Sequence, residues 1–523
     1  MKSRETLIAM LLMASLAAPA YAQSQTPWTG TWSVAPQVGG ANTAFNERTV
    51  RQALHTSIGG SAARIGISNL FGTDNLQISD VHLAQTNGVG PSIIAGTDHK
   101  VTFGGQSSTT IAPGAEVESD AVAMTIAPLS DYAVSMFFPS APSVIPTFHQ
   151  DGRENTFFAD GDVSGNTNIT QVDGSQSIWF LTNLDVQNPA ATGAIVALGA
   201  SITDGDKSNF ETNTRWTNDL ATRLSNAGLT VGVLNEGISG NHLLIDSVAG
   251  LSATNRFAND VLAQPNVRYV IFSDDIINDL GISNPPPSAD TFIAAVRQLI
   301  AEAHQHGIKF VCSTLTPFAG ASGWTPAQET VREQVNSFIH TSNECDGVID
   351  QDAAIRDPNN PTFMLAALNQ NPDGTPGDGL HPNDAGHTAI ANAINLGLFT
   401  ADGAPPSTNP TRTDTLKLGQ SLAPGQALVS DDGRFQLLLQ TDGHLVIDEG
   451  TTALWSVGGG GAPAQVTFQQ DGNLVETGTS GNVLYQSNSA GLGGQTLIIQ
   501  NDGNLVIYDG SGNPVFASNT CCH

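Results

Sequence analysis

Residues 193–208 read GAIVALGASITDGDKS. A short apolar run, AIVAL, passes through Gly199 and Ala200 to Ser201, and a turn of Thr, Asp and Gly follows. A strand that delivers a serine into a polar turn leaves two readings open: a residue that caps the next helix, or a nucleophile at the end of the strand.

Further strand-like runs follow (TVGVLN, RYVIFS, KFVCSTL and GVID), and helical stretches separate them. One helix carries Trp216, Leu220 and Leu224 at a spacing of four. A second runs from a capping Ser288 through Phe292, Val296, Leu299 and Ile300 to Gly307; a third follows Thr325 and Pro326 with Val331, Val335, Phe338 and Ile339 on one face. Strands alternating with helices over 188–399 predict an α/β domain whose parallel sheet is covered on both faces. Ligands gather at the C-terminal ends of such strands, where Ser201 falls.

On the N-terminal side, 23–187 is β-rich: ARIGISNLFG, LQISDVHLA, AVAMTIAP and YAVSMFF are separated by Gly, Pro, Asn and Asp. A β-sandwich, jelly-roll-like, is expected. Residues 1–22 have Lys2 and Arg4, the apolar LIAMLLMASLAA and an A-x-A site at Ala20–Ala22, the pattern of a signal peptide, so the protein is expected to be secreted or periplasmic. On the C-terminal side, 400–414 (TADGAPPSTNPTRTD) reads as a linker, and 415–520 repeats internally. QTDGHLVID begins at Gln440, QQDGNLVET at Gln469 and QNDGNLVIY at Gln500, which predicts a three-fold β unit whose repeats close one core together.

A chain of 523 residues is too long for one core. Nineteen Lys plus Arg against 48 Asp plus Glu, a formal charge of −29, disfavour nucleic acid and anionic lipid, so neutral or small partners are expected. Of the four cysteines, Cys312 and Cys345 lie beside two predicted strands, as a bridge or as two free thiols; Cys521 and Cys522 are adjacent near the end. Zinc spacing is lacking, and Asp160, Asp162 and Ser164 lack the closing glutamate of a calcium loop, so neither metal nor cofactor is expected.

A serine hydroxyl attacks only when a base takes its proton, and the base must be held in the right tautomer. In DGLHPNDAGH, Asp378 sits three residues before His381, close enough for the carboxylate to reach the imidazole, with Pro382 suited to the first turn of a helix continuing through Ile390 and Ile394. His304 and His306 end a helix and His387 continues one, which makes them weaker bases for Ser201. Oxyanion donors are expected from Gly240 in VLNEGISGNHLL and from Asn278 in FSDDIINDLG, each following a strand.

Together GASITDG, NEGISGN, IIND and DGLH resemble the four blocks of the SGNH hydrolases, the GDSL esterase and lipase superfamily. The resemblance covers about 200 residues and implies a three-layer flavodoxin-like fold. It makes Ser201 the nucleophile, His381 the base and Asp378 its orienting acid, with the N–H groups of Ser201 and Gly240 and the Asn278 amide around the oxyanion. Two positions depart from the family's pattern: Ala200 stands for the Asp of GDS, and Ile276 for the Gly of GxND, where a branched side chain is expected to crowd the substrate or tilt the Asn278 loop. Thr203 stands where the GxSxG elbow of the α/β-hydrolases needs glycine, which argues against that fold and for a looser turn.

RIGISNLFG, Arg64–Gly72, makes the N-terminal region resemble the sandwich that precedes the catalytic domain in one exported subgroup of the superfamily. In PTFHQDGRENTFFADGD, His149 and Arg153 either touch substrate at the rim or belong to a domain-packing loop, and the second is favoured. The C-terminal repeats resemble the QxDxNxVxY motif of bulb-type lectins, which implies a three-fold β-prism and a mannose-type ligand. Gln500, Asp502, Asn504, Val506 and Tyr508 match in full; Gln469, Asp471, Asn473 and Val475 match with Thr477 for Tyr; Gln440, Asp442 and Val446 match with His444 and Asp448 elsewhere. Amides and carboxylates pair with vicinal hydroxyls while apolar atoms lie under the ring.

The leading expectation is an exported serine ester hydrolase that deacylates a polysaccharide or glycoconjugate, held near it by the sugar module. An arylesterase or lipase on small hydrophobic esters, and a sugar-binding protein with a vestigial hydrolase domain, are the alternatives.

Overall fold

The computed structural model describes residues 26–40, 45–139, 145–400 and 414–521, except 425, 431–433, 441, 450–451, 459–462, 501–502 and 511–512. The expected signal peptide, residues 401–413 of the expected linker, Asp502 and Cys522 lie outside the described residues.

The N-terminal region forms two antiparallel sheets around one apolar core. One sheet has four strands (Trp28–Ser33, Leu181–Gln187, Ala63–Ser68, Glu116–Glu118); the other has seven and centres on Arg48–His55 and Asp131–Phe138. The sandwich expectation holds, while four and seven strands depart from an eight-stranded jelly roll. A third, short sheet brings Thr147–His149 between Gln37–Val38 and Ile178–Trp179.

The middle region carries a five-stranded parallel sheet: β1 (Gly193–Gly199), β2 (Val231–Gly237), β3 (Val267–Phe272), β4 (Lys309–Ser313) and β5 (Gly347–Ile349), in the order β2-β1-β3-β4-β5. This is the flavodoxin-like order, with its switch point between β1 and β3. Every residue of β1 is buried, which is why AIVAL is a continuous apolar run. α1 (Ser201–Asp204), α2 (Trp216–Asn226), α3 (Asp275–Asp279), α4 (Ala289–Gln305), α5 (Pro326–Thr341) and α6 (Asp384–Asn392) follow the strands, with α2 packed on α6 and α4 on α5. Ser288 caps α4 through the Thr291 N–H, and Thr325 with Gln328 makes a capping box on α5, where Pro326 stands in the first turn. The C-terminal helix differs from expectation. Asn383 caps α6 by accepting the Gly386 N–H at 3.1 Å, so Pro382 precedes the helix and Ile394 lies beyond it. Cys312 and Cys345 are bridged, with Cα atoms 5.8 Å apart.

β2 is an edge strand, and the sandwich covers it. Trp28–Ser33 packs along β2, and the Val233 N–H donates to Ser57 Oγ at 2.9 Å. Covering the edge joins the two regions and protects the unpaired backbone.

The C-terminal repeats form three four-stranded antiparallel sheets around one core that includes Leu416, Leu445, Ile447, Leu474, Leu505 and Ile507. The first strand, Thr415–Lys417, pairs with Gly494–Ile499 of the last repeat and so closes the unit on itself. Among the described residues no helix is long and apolar enough to cross a membrane.

Candidate active site

β1, β2 and β3 end side by side, and each delivers one element of the site. After β1, Ala200 is the N-cap residue of α1 and Ser201 its first helical residue, so the serine is not the cap. The cap makes no side-chain hydrogen bond. Instead the Asp274 carboxylate, from the end of β3, takes the Ala200 N–H at 3.0 Å, the Ile202 N–H at 2.7 Å and the Thr203 hydroxyl at 2.6 Å. It binds the amides on either side of Ser201 and leaves the Ser201 N–H between them without an acceptor among the described residues. β2 approaches α1 so closely that a Cβ on Gly237 would lie 2.3 Å from Asp204 N.

After β2, Gly240 turns the chain at φ +78°, a left-handed conformation suited to glycine, and its N–H also lacks an acceptor among the described residues. After β3, the Asn278 amide donates to Asn241 O at 2.8 Å, which fixes the side chain and leaves its second N–H for a ligand. Asp279 beside it takes the Leu243 N–H at 2.6 Å and ties the β2 loop to α3. Ile276 is fully buried in the hydrolase core, so it neither crowds a substrate nor prevents α3 from presenting Asn278.

The Asp378–His381 turn comes from the loop before α6. His381 Nε2 lies 2.9 Å from Ser201 Oγ, and His381 Nδ1 lies 2.8 Å from Asp378 Oδ2. Asp378 Oδ1 accepts the backbone N–H of Leu380 and of His381 at 3.0 and 2.9 Å. Desolvation pushes the Asp378 carboxyl up, but the His381 ring and the two backbone N–H groups outweigh it and hold the acid well below its usual range. Asn369 clamps the turn, donating to His381 O at 2.6 Å and accepting the Gly379 N–H at 2.8 Å. Ser201, His381 and Asp378 are thus brought together, while Gly240 and Asn278 lie on the segments that follow the two strands flanking β1. A histidine shared between a serine and an ionised carboxylate can take the hydroxyl proton, and free N–H groups nearby can receive an oxyanion.

Asp274, Asp279 and Arg256 tie the segments of the site together, and sequence reading missed them. Arg256, buried, donates to Gly199 O at 3.0 Å and Glu236 O at 2.6 Å and pairs with Asp260 at 2.9 Å, so one cation pins the ends of β1 and β2. Asp274 carried a signal, an acid at a strand end one strand from Ser201; Arg256 carried none. His304 pairs with Asp346 at 2.7 Å. His387 is fully buried, and burial pushes it down to about 4, so it is neutral. His149 and Arg153 contact α1 and the loop after it.

In the C-terminal unit, Gln500 Nε2 donates to Tyr508 Oη at 2.9 Å, and Val506 lies nearly closed beneath. Asn504 Oδ1 accepts from Ser518 Oγ at 3.1 Å and the Thr520 N–H at 3.3 Å; Asn473 Oδ1 accepts from Ser487 Oγ at 2.9 Å and the Ser489 N–H at 3.1 Å. Asp471 takes the Asn473 N–H at 3.1 Å, and Gln469 N–H donates to Asn473 O at 2.8 Å. The motif's asparagine carbonyls therefore stabilise turns, while the Gln500–Tyr508 pair, half-buried, stays within reach of a ligand.

Residues 195–394 match the family of GDSL-like lipases and acylhydrolases, and this stretch is a serine ester hydrolase domain. Among solved structures, a protein described as lipolytic and of the G-D-S-L family, from Desulfitobacterium hafniense DCB-2, is similar at 21% identity over 38% of this chain and 96% of its own, with a TM-score of 0.29. An acylhydrolase from Bacteroides fragilis NCTC 9343 is similar at 18% identity over 39% of this chain and 86% of its own, with a TM-score of 0.28. A monomeric mannose-binding lectin from Gastrodia elata is similar at 34% identity over 21% of this chain and 100% of its own, with a TM-score of 0.19. No curated protein matches the chain.

Proposed function

We propose that this protein is an exported esterase that removes acyl groups from a polysaccharide or glycoconjugate, with Ser201 as nucleophile. The observation that carries the chemistry is the continuous chain Ser201 Oγ, His381, Asp378, at 2.9 and 2.8 Å, with the Ser201 and Gly240 N–H groups lacking acceptors among the described residues. His381 Nε2 takes the Ser201 proton as Oγ bonds to the ester carbon, and the carbonyl electrons move to oxygen, facing the N–H groups of Ser201 and Gly240 and the Asn278 amide. The tetrahedral adduct collapses to an acyl-serine as His381 returns the proton to the leaving alcohol. Water then repeats the sequence, giving the acid and free Ser201.

The carbohydrate class rests on the C-terminal unit. Its last repeat keeps the whole mannose-binding pattern, and Gln500, Asp502, Asn504, Val506 and Tyr508, with Gln469, Asp471 and Asn473 as a second set, are the proposed contacts. Weak affinity for one sugar becomes useful retention on a polymer when binding and hydrolysis share a chain. Export is proposed from the 1–22 pattern. The test compares hydrolysis of acetylated mannan and xylan with short-chain and long-chain aryl esters. Acetyl release from the polymers, reduced by Asn504→Ala while the aryl ester rate is unchanged, supports the reading; preference for long-chain esters overturns it.

A second reading, an arylesterase on small hydrophobic esters, is favoured by one observation. A cavity of about 320 Å³ beside the Asp378 turn is lined by Phe363, Met364, Ala366, Pro376 and Gly379, and Phe363 is 39% exposed. The same ester panel separates it from the first.

A further inference from the structure

We propose that His149 and Arg153 of the β-sandwich are positioning residues of the ester hydrolase, so that the sandwich completes the active site. The inference rests on the Ser201 reading above. His149 is 2% exposed. Its Nδ1 faces Ala35 O at 3.0 Å and its Nε2 faces Asp204 Oδ1 at 3.1 Å. Both ring nitrogens thus face acceptors, and only the imidazolium satisfies both. Burial disfavours that cation, but Asp204 and the Ala35 carbonyl outweigh the cost and raise its pKa.

Asp204 is the last residue of α1, three positions after Ser201. Its other oxygen accepts the Ser239 N–H at 2.8 Å, and Ser239 immediately precedes Gly240. One buried carboxylate therefore spans the serine helix and the oxyanion turn, and the sandwich supplies its counter-charge. Without His149 the carboxylate is buried and unpaired, and either α1 or the turn must move to hydrate it.

Arg153 acts on the other side of the serine. Its Nη2 donates to Asp206 Oδ1 at 2.8 Å, and Asp206 Oδ2 lies 3.6 Å from His381 Nε2, the nitrogen that faces Ser201. Arg153 is held at φ +54°, unusual for a residue with a side chain, and Asp151 lies 3.3 Å from its Nε. Holding Asp206 at this distance keeps a second carboxylate from replacing Ser201 as the partner of Nε2.

The test uses the full chain and p-nitrophenyl acetate, after fluorophosphonate labelling lost in Ser201→Ala has established the nucleophile independently. His149→Leu is expected to lower kcat on the order of 10²-fold, the loss seen when one oxyanion donor is misplaced, with KM changed less than three-fold. His149→Gln, which restores a neutral donor to Asp204, is expected to recover at least ten-fold of that loss. Arg153→Gln is expected to lower kcat about ten-fold, and Arg153→Lys to restore most of it. If His149→Leu does not fold, His149→Leu with Asp204→Asn leaves no buried unpaired carboxylate and is expected to fold and to recover most of the parent kcat. A kcat within two-fold of the parent in folded His149→Leu, a loss entirely in KM, or a folded double variant whose kcat stays about 10²-fold below the parent overturns the proposal. Failure of labelling in the parent protein instead overturns the Ser201 reading beneath it.

Discussion

Replacing Asp274 by asparagine removes one oxygen from the carboxylate that shapes the serine turn. In the native site Oδ1 accepts Ala200 N–H and Thr203 Oγ–H, and Oδ2 accepts Ile202 N–H, all within 3.0 Å. The better orientation of an amide keeps its carbonyl at Oδ1 and sets its NH2 against the Ile202 N–H. One charge-assisted bond is then lost, about 1.5–3 kcal/mol, and a buried N–H is left without an acceptor, about 1–3 kcal/mol. Asp274→Asn should therefore cost about 3–5 kcal/mol of stability. The freed Ile202 amide also loosens the residue after Ser201, so kcat should fall on the order of 10²-fold with KM little changed. Urea unfolding followed by circular dichroism and steady-state hydrolysis of p-nitrophenyl acetate read the two effects. Asp275→Asn is the control. Burial, opposed by Arg256 Nη2 at 3.5 Å from Oδ1, pushes Asp275 up to about 7, and among the described residues neither oxygen makes a close side-chain hydrogen bond, so an amide there mimics a form already populated. Stability within 1 kcal/mol of the parent and kcat within three-fold for Asp274→Asn would refute the reasoning.

Asp378→Asn is expected to lower kcat by about 10³–10⁴-fold, because the amide stabilises the wrong His381 tautomer; hydrolysis of p-nitrophenyl acetate checks it. His387, held neutral by burial at about 4, contributes stability that is full above its unfolded value of 6.5 and is lost as pH falls toward 4. The stability difference between pH 7 and pH 4.5, from urea midpoints, should therefore be smaller in His387→Gln than in the parent. Glu476 occupies the place in the second repeat that Ile447 and Ile507 occupy in the others, buried with neither oxygen paired among the described residues, and burial raises its pKa. Glu476→Ile should raise the melting temperature of the C-terminal transition in calorimetry, and by more at pH 8 than at pH 4, since a raised acid loses stability as pH rises. Reduction of the Cys312–Cys345 bridge, which closes 33 residues, should cost about 3–4 kcal/mol in urea unfolding with and without reductant.

The regular elements were legible because periodicity and caps are local. Ser288, Thr325 and the β1 run each carry their signal within a few residues. Ser201, Asp378 and His381 were legible as types at strand ends, and their spacing of three made the acid–base pair recognisable. What stayed hidden depends on contacts far apart in the chain. Asp274 acts across 74 and 72 residues, Arg256 across 57, and His149 across 55. The Pro382 expectation failed for a local reason, since Asn383 is the better cap and shifts the helix start past the proline. The concern over Ile276 failed because sequence does not say which way a helical side chain points, and this one points into the core.

The most direct measurement is covalent labelling of the full chain by a fluorophosphonate, read by mass spectrometry of the peptide containing Ser201. One phosphonyl group on Ser201, lost in Ser201→Ala and formed at least a hundred-fold more slowly in His381→Ala, is the predicted result. An unlabelled parent protein, or labelling that persists in Ser201→Ala, would contradict the assignment of Ser201 as the nucleophile.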